Sequence, residues 1–137
     1  MILAGLTLYL FWSDICYRMI SNRSVLAVAA ISLLTTGFQS FQLGGWLCVA
    51  LVGCLLFRCN VMAGGDIKLM LAYLTGIRHE FLPALFGLMA VVGGLTAVVY
   101  LCYGWITGTL SSVRLRGVPY GIAIGAAGFT GVLLSAL

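Results

Sequence analysis

The chain has very little charge. Of its 137 residues only 7% are Asp, Glu, Lys or Arg, and three of these are acidic. In a soluble domain roughly a quarter of the residues are charged, and these residues cover its surface. Here 63% of the residues are hydrophobic and the mean hydropathy is +1.18. We therefore expect one integral membrane domain over residues 1–137, with no soluble domain beside it.

The chain also lacks the residue clusters that hold metals. His79 is the only histidine, and the five cysteines are scattered without a C-x-x-C pair. This pattern argues against a zinc site, so we expect no metal and no cofactor, and we interpret the cysteines as small apolar packing residues. The basic residues behind the net charge of +4 flank apolar runs, which favours a role in membrane orientation over nucleic-acid binding.

Charged and polar residues divide the chain into apolar segments. The first covers residues 1–17. The 34 uncharged residues between Arg23 and Arg58 would form a helix of about 50 Å, against a hydrocarbon core of about 30 Å. We therefore predict a hairpin of two short helices, with its turn in the glycine- and glutamine-bearing segment 37–45. The remaining spans are predicted at residues 67–77, 81–109 and 118–137.

These segments predict an all-α membrane protein of about six transmembrane helices, the fourth of them short. With the N-terminus outside, only Arg78 lies on the outer side, and six basic residues face the cytoplasm, a strong positive-inside bias: Arg18, Arg23, Arg58, Lys68, Arg114 and Arg116. An alternative is a re-entrant fourth helix, with the fifth segment split into a hairpin at Gly93 and Gly94. That arrangement would move Arg78 to the cytoplasmic side.

Two of the three acids, Asp14 and Asp66, fall at the same membrane boundary in this topology, where an acid is costly. Singly, Asp14 could pair with Arg18 one turn away, and Asp66 could stabilise a helix start. Together, two partly desolvated carboxyls share a proton, so that one activates a water while the other polarises a carbonyl. Because His79 is expected on the opposite face, the two aspartates are nearly the only hydrolytic machinery available.

Three segments resemble the motifs of one family. Residues 62–70 (MAGGDIKLM) resemble the G-x-G-D-x-K-L signature of type IV prepilin peptidases, which are GxGD-type aspartyl proteases. Residues 14–22 (DICYRMISN) resemble that family's D-x-x-x-R-x-I-P-N motif, and residues 118–121 (VPYG) resemble its V-P-Y-G before the last helix. Order and spacing match over nearly the whole chain, and the size is similar to that of the small CpaA/TadV-like form.

The chain departs from these motifs at three positions. Ala63 stands where the first glycine is usual, and Ser21 and Ile122 stand where proline is usual. Alanine is the smallest replacement, and the Gly64-Gly65 pair is expected to keep the backbone freedom for the turn that follows. A left-handed conformation at Ala63 would strain this loop and reduce activity.

The resemblance implies an aspartyl endopeptidase of the bacterial inner membrane, with its active site at the cytoplasmic face. It would remove the leader of Flp-type prepilins at the membrane boundary, so that prepilin and lipid are its expected partners and nucleic acid is not. The long relatives carry a cysteine-rich insert associated with N-methylation, which is missing here, so we expect no methyl transfer. The catalytic residues would be Asp14 and Asp66, and the residues that position substrate or loop would be Gly64, Gly65, Lys68, Arg18 and Asn22.

Two other classes of function remain open from the residues alone. A small transporter could use Asp14 and Asp66 as a proton or cation site, with a broken helix at Gly64-Gly65. An internal repeat would support that hypothesis, and the two halves show no convincing similarity. A structural subunit of a larger membrane complex could use the same acids in interface ion pairs.

Overall fold

The computed structural model describes residues 1–17, 20–37, 43–59, 62–109 and 120–137. Across these ranges the chain is all-helical and contains no strand, as the sequence predicts. The described ranges contain six α-helices and one short 3₁₀ helix: α1 Ile2–Tyr17, α2 Asn22–Thr36, α3 Leu43–Arg58, α4 Gly64–Leu74, the 3₁₀ helix His79–Phe81, α5 Leu82–Ile106 and α6 Gly121–Ala136.

The outer helices present apolar side chains rather than polar ones. The stretch His79–Ile106 is long and apolar enough to cross a membrane, and little of it is buried. The helices α1, α2, α3 and α6 are shorter apolar helices of 15 or 16 residues, each about 24 Å long. Large apolar side chains such as Leu34, Leu51 and Val99 stand exposed on these surfaces. Such a surface is typical of contact with lipid.

The short helix α4 is largely buried among the longer helices. Seven of its 11 residues are buried, and it packs against α2, α3 and α6. Two hydrogen bonds attach it to its neighbours: Trp46 Nε1 donates to the Leu71 carbonyl at 3.1 Å, and Thr75 Oγ1 donates to the Ala29 carbonyl at 3.2 Å. Its length of about 16 Å is roughly half the hydrocarbon thickness, so α4 is too short to cross the membrane by itself.

The alternative that splits the fifth segment at Gly93 and Gly94 is wrong, because α5 runs unbroken from Leu82 to Ile106. The two glycines keep helical backbone, and Gly93 is buried where Tyr120 and Ala123 pack against it. Close packing therefore accounts for Gly93, and no bend occurs there.

The predicted division of the 34-residue uncharged run into two short helices is confirmed. The helix α2 ends at Thr36, and Gly37 follows with a φ of 77°, in the left-handed region that favours glycine. The Gly37 N–H donates to the Leu33 carbonyl at 2.8 Å and closes the last turn. The helix α3 begins at Leu43, and residues 38–42 of the turn lie outside the described ranges.

Our prediction that the cysteines are packing residues is wrong. All five are free and exposed: Cys16, Cys48, Cys54, Cys59 and Cys102. Four of them lie on outward faces of the helices and Cys59 directly follows α3, and in a lipid environment an apolar thiol is as acceptable there as the leucines nearby. Hydropathy identifies a residue as apolar but does not distinguish the helix face that meets lipid from the face that meets another helix.

Candidate active site

Asp14 occupies the last turn of α1. The helix ends at Tyr17, and the carboxyl group points inward, with the residue only 6% exposed. The buried residues of α1 are Leu3, Thr7, Leu10 and Asp14, which recur at intervals of three and four and so define one inward face. The sequence periodicity of α1 therefore places the carboxyl group on the side that faces the other helices.

Asp66 lies in the first turn of α4 and is 7% exposed. Ala63 is the residue just before the helix, with φ −73° and ψ 147°, and its carbonyl accepts from the Asp66 N–H at 3.1 Å. This is ordinary extended backbone, so alanine at position 63 causes no left-handed strain. The departure from the family's first glycine leaves the local geometry around the carboxylate intact.

Gly64 and Gly65 do not supply the turn that the sequence suggested. They are the first two residues of α4, and neither has a positive φ. A Cβ atom at Gly64 would lie 3.4 Å from the Phe57 ring, and one at Gly65 would lie 3.7 Å from the Ile20 side chain. Both distances are ordinary van der Waals contacts, so neither the backbone conformation nor the available space requires glycine at these two positions.

The two segments that carry the aspartates meet at one end of the bundle. Lys68 Nζ donates to Asn22 Oδ1 at 3.2 Å, which joins the first turns of α4 and α2. Ile20, just before α2, contacts Gly65. Because α1 ends where this junction begins, α1 and α4 point in opposite directions. Two residues that the sequence selected for positioning, Lys68 and Asn22, are therefore brought together at this end.

A second contact sets the register of α1 against α4. Thr7 Oγ1 and Tyr73 Oη lie 2.7 Å apart, both in buried side chains. Thr7 precedes Asp14 by seven residues and Tyr73 follows Asp66 by seven, and seven residues are about two helical turns, or about 10 Å. Asp14 therefore lies on the same face of α1 as Thr7, and Asp66 lies on the same face of α4 as Tyr73. Because the two helices point in opposite directions, the two aspartates also lie at the same depth in the bundle.

Two cavities flank this end of the bundle. One cavity, of about 410 Å³, has partly polar walls and lies next to the end of α1 that carries Asp14. It is lined by Ser13, Tyr17, Ile20, Ser21 and Asn22. The other, about 380 Å³, is apolar and opens between α3 and α5: Leu56, Met62, Met89, Ala90, Gly93, Gly94, Ala97 and Tyr120. Met62 precedes α4 and Tyr120 precedes α6, so residues next to the aspartate-bearing end line both cavities.

The remaining candidates lie elsewhere. Arg18, and with it the predicted pair with Asp14, falls outside the described residues, as do Arg114 and Arg116. His79 begins the 3₁₀ helix beyond the far end of α4. Within the described ranges no group of three or more His, Cys, Asp or Glu residues could hold a metal ion.

The geometry can be compared with known proteins. A family model, the type IV leader peptidase family, matches residues 1–99 of the 137. The chain belongs to the type IV leader peptidase family. The matched region includes Asp14 and Asp66 and reaches well into α5. No curated protein and no solved structure matches the chain significantly. As a member of the leader peptidase family, the chain is a peptidase whose substrate is a protein.

The sequence analysis missed one residue of this site in the leader peptidase. Gly121, the first residue of α6, lies directly against the Asp14 carboxylate. It entered the sequence analysis only as the last letter of the V-P-Y-G segment. That segment was the available signal, but nothing in it indicates which side chain the glycine meets, because the partner is far away in the sequence.

Proposed function

We propose that this leader peptidase is an aspartyl endopeptidase in which Asp14 and Asp66 act together. The observation that carries the proposal is the register of α1 against α4. It brings two buried carboxyl groups from opposite helices to the same depth at one end of the bundle. The family match adds that the reaction is the cleavage of a protein. Among the described residues no cluster for metal-dependent hydrolysis competes with the pair.

The chemistry follows from the proximity of the two carboxyls. Two buried carboxyl groups held close together cannot both ionise easily, so in this proposal they hold one proton between them. The ionised member takes a proton from a water molecule, and the resulting hydroxide attacks the peptide carbonyl carbon. The protonated member gives its proton to the carbonyl oxygen. Collapse of this intermediate breaks the C–N bond: the amine leaves with a proton from the first carboxyl, and a hydroxyl of the intermediate returns a proton to the second carboxyl, which restores the singly protonated pair.

The proposal places the pair at the cytoplasmic boundary of a bacterial inner membrane, in a bundle of about six spans. Support comes from the exposed apolar surface and the length of α5. Exposed basic residues gather at the aspartate-bearing end: Arg23 starts α2, Arg58 ends α3 and Lys68 follows Asp66. Arg78 is held at the other end, where its guanidinium donates to the Ser135 carbonyl at 3.1 Å. The positive-inside bias then assigns the active end to the cytoplasm.

The substrate of the proposal is an Flp-type prepilin. Such a precursor has a basic leader in the cytoplasm and an apolar helix in the membrane, so the bond to be cut lies at the boundary where the pair is placed. The resemblance of residues 14–22 and 62–70 to prepilin peptidase motifs supports this substrate class. We further propose that cleavage follows a glycine and that the new pilin end is not methylated.

Co-expression tests the proposal directly. The protein is produced with an Flp-type prepilin in a bacterial host that lacks its own prepilin peptidase, and leader removal is followed by gel mobility and by the mass of the pilin. We expect a shortened pilin with an unmethylated N-terminus. A prepilin whose glycine before the cleavage site is replaced serves as the uncleaved control. Full-length prepilin beside well-accumulated enzyme would refute the substrate, and a methylated product would refute the single activity.

A further inference from the structure

Gly121 meets the carboxylate of Asp14 across the gap between α6 and α1. A Cβ atom at position 121 would lie 2.5 Å from Asp14 Oδ2, 2.8 Å from Cγ and 3.2 Å from Cβ. All three atoms belong to one short side chain, which has few rotamers in a buried setting. Any side chain at position 121 would therefore displace the carboxylate or push the start of α6 away.

The requirement at position 121 is for space and not for backbone conformation. Gly121 begins a regular helix and does not have a positive φ, unlike Gly37 and Gly108. Alanine has a higher intrinsic helix propensity than glycine, so the helix on its own does not require glycine here. Helix propensity therefore does not explain glycine at position 121. The close approach of the Asp14 side chain does explain it.

We propose that Gly121 is a positioning residue for catalysis: its missing side chain leaves the room in which the Asp14 carboxylate faces Asp66. This inference rests on the proposed aspartyl peptidase function and extends it to α6, beyond the residues matched by the family model. Gly121 touches no reacting atom and acts through Asp14. The last helix thereby becomes part of the active site, since it forms the wall behind one carboxyl group.

Other glycines on the same face of α6 provide matched controls. Gly125, one turn further, meets the ring of Phe11, Gly128 meets the ring of Tyr73, and Gly131 meets Ile77 and other aliphatic atoms. These positions also let α6 approach its neighbours, but they meet apolar side chains and not a carboxylate. Gly125→Ala therefore disturbs packing between the same two helices, α6 and α1, without contact to Asp14.

Steady-state kinetics separates positioning from packing. We expect Gly121→Ala to lower kcat by about 100-fold, the loss associated with a shift of roughly 1 Å in a catalytic group, with little change in KM. Gly125→Ala should keep kcat within about threefold of the wild type when activity is normalised to folded protein. A wild-type kcat in Gly121→Ala would overturn the inference. An equal loss of kcat in Gly125→Ala would overturn it as well, because general packing would then be responsible.

A double-mutant cycle on stability tests the contact without any activity. In Asp14→Ala the atoms that would lie 2.5 Å and 2.8 Å from the new methyl group are gone. Gly121→Ala should therefore lower the melting temperature, or the amount of protein accumulated, in the wild type and much less in the Asp14→Ala background. An equal effect in both backgrounds would refute the contact. If Asp14→Ala itself still cleaves prepilin, the proposed function fails while this coupling still reports on the contact.

Discussion

The hydrogen bond between Thr7 and Tyr73 offers the sharpest test of the register of α1 against α4, which brings the two aspartates to the same depth. Thr7 Oγ1 donates to the Leu3 carbonyl at 2.8 Å, so its single proton is used within α1. The Tyr73 hydroxyl must then donate across the 2.7 Å gap to Thr7 Oγ1. Both side chains are nearly fully buried, with Thr7 4% and Tyr73 1% exposed. The two partners therefore have unequal needs when one of them is removed.

The inequality predicts the size of each effect on the free energy of unfolding. Tyr73→Phe removes the donor, but Thr7 keeps its bond to Leu3, so the cost should be about 1 kcal/mol. Thr7→Val leaves a buried tyrosine hydroxyl without its acceptor, which should cost about 2 kcal/mol. In the double variant neither polar group remains, so it should be no less stable than Thr7→Val alone.

The assay is reversible unfolding in mixed detergent micelles, followed by far-UV circular dichroism. The same variants are also tested for kcat, which should fall modestly in each because the contact aligns α1 with α4 two turns away from the aspartates. Gly87→Ala is a neutral control, because nothing lies within 4 Å of the added atom. The assigned donor would be refuted if Thr7→Val lowered the free energy of unfolding no more than Tyr73→Phe does, or if the two losses simply added in the double variant. The register derived from this contact would then be refuted as well.

Three further predictions follow from other parts of the structure. Gly76→Ala should destabilise by about 1–3 kcal/mol in the same unfolding assay, because its Cβ would lie 2.6 Å from the Ser32 carbonyl oxygen; an unchanged stability would contradict that packing. Single-cysteine labelling of sealed vesicles should mark Cys16 from the cytoplasmic side and a His79→Cys variant only from the outer side. Labelling of the His79→Cys variant from the cytoplasmic side would show that the predicted topology of the second half of the chain is wrong. Cleavage should survive chelators and show a bell-shaped pH profile; rescue by a specific metal would refute the reaction class.

Much of the helical order could be predicted because charges and polar turns interrupt the apolar runs. The predicted first span, residues 1–17, corresponds to Ile2–Tyr17, and the span 81–109 corresponds to Leu82–Ile106. The break between the second and third helices could be predicted because a 34-residue apolar run is too long for one crossing. The presence of a membrane helix can be predicted from the composition and length of an apolar segment, because both are local properties of the sequence.

The arrangement of helices could not be predicted in the same way. Nothing local shows that α4 packs against α2, α3 and α6 or that Tyr73 reaches Thr7, because such contacts join residues far apart in the chain. The exposed cysteines illustrate the same limit, since lipid and protein interiors accept the same side chains. The residues Asp14 and Asp66 were found because acids are rare in this chain, whereas Gly121 carries no chemistry that would distinguish it from 17 other glycines.

The most direct test of the account is the activity of two conservative variants, Asp14→Asn and Asp66→Asn. Each keeps the size of the side chain and removes its ability to ionise, so the pair can no longer hold and pass a single proton. Purified variants are mixed with prepilin in detergent, and leader removal is timed beside the wild type after folded protein has been matched by circular dichroism. The account predicts that both variants remain folded and that neither cleaves. Substantial cleavage by either variant would contradict the carboxyl pair.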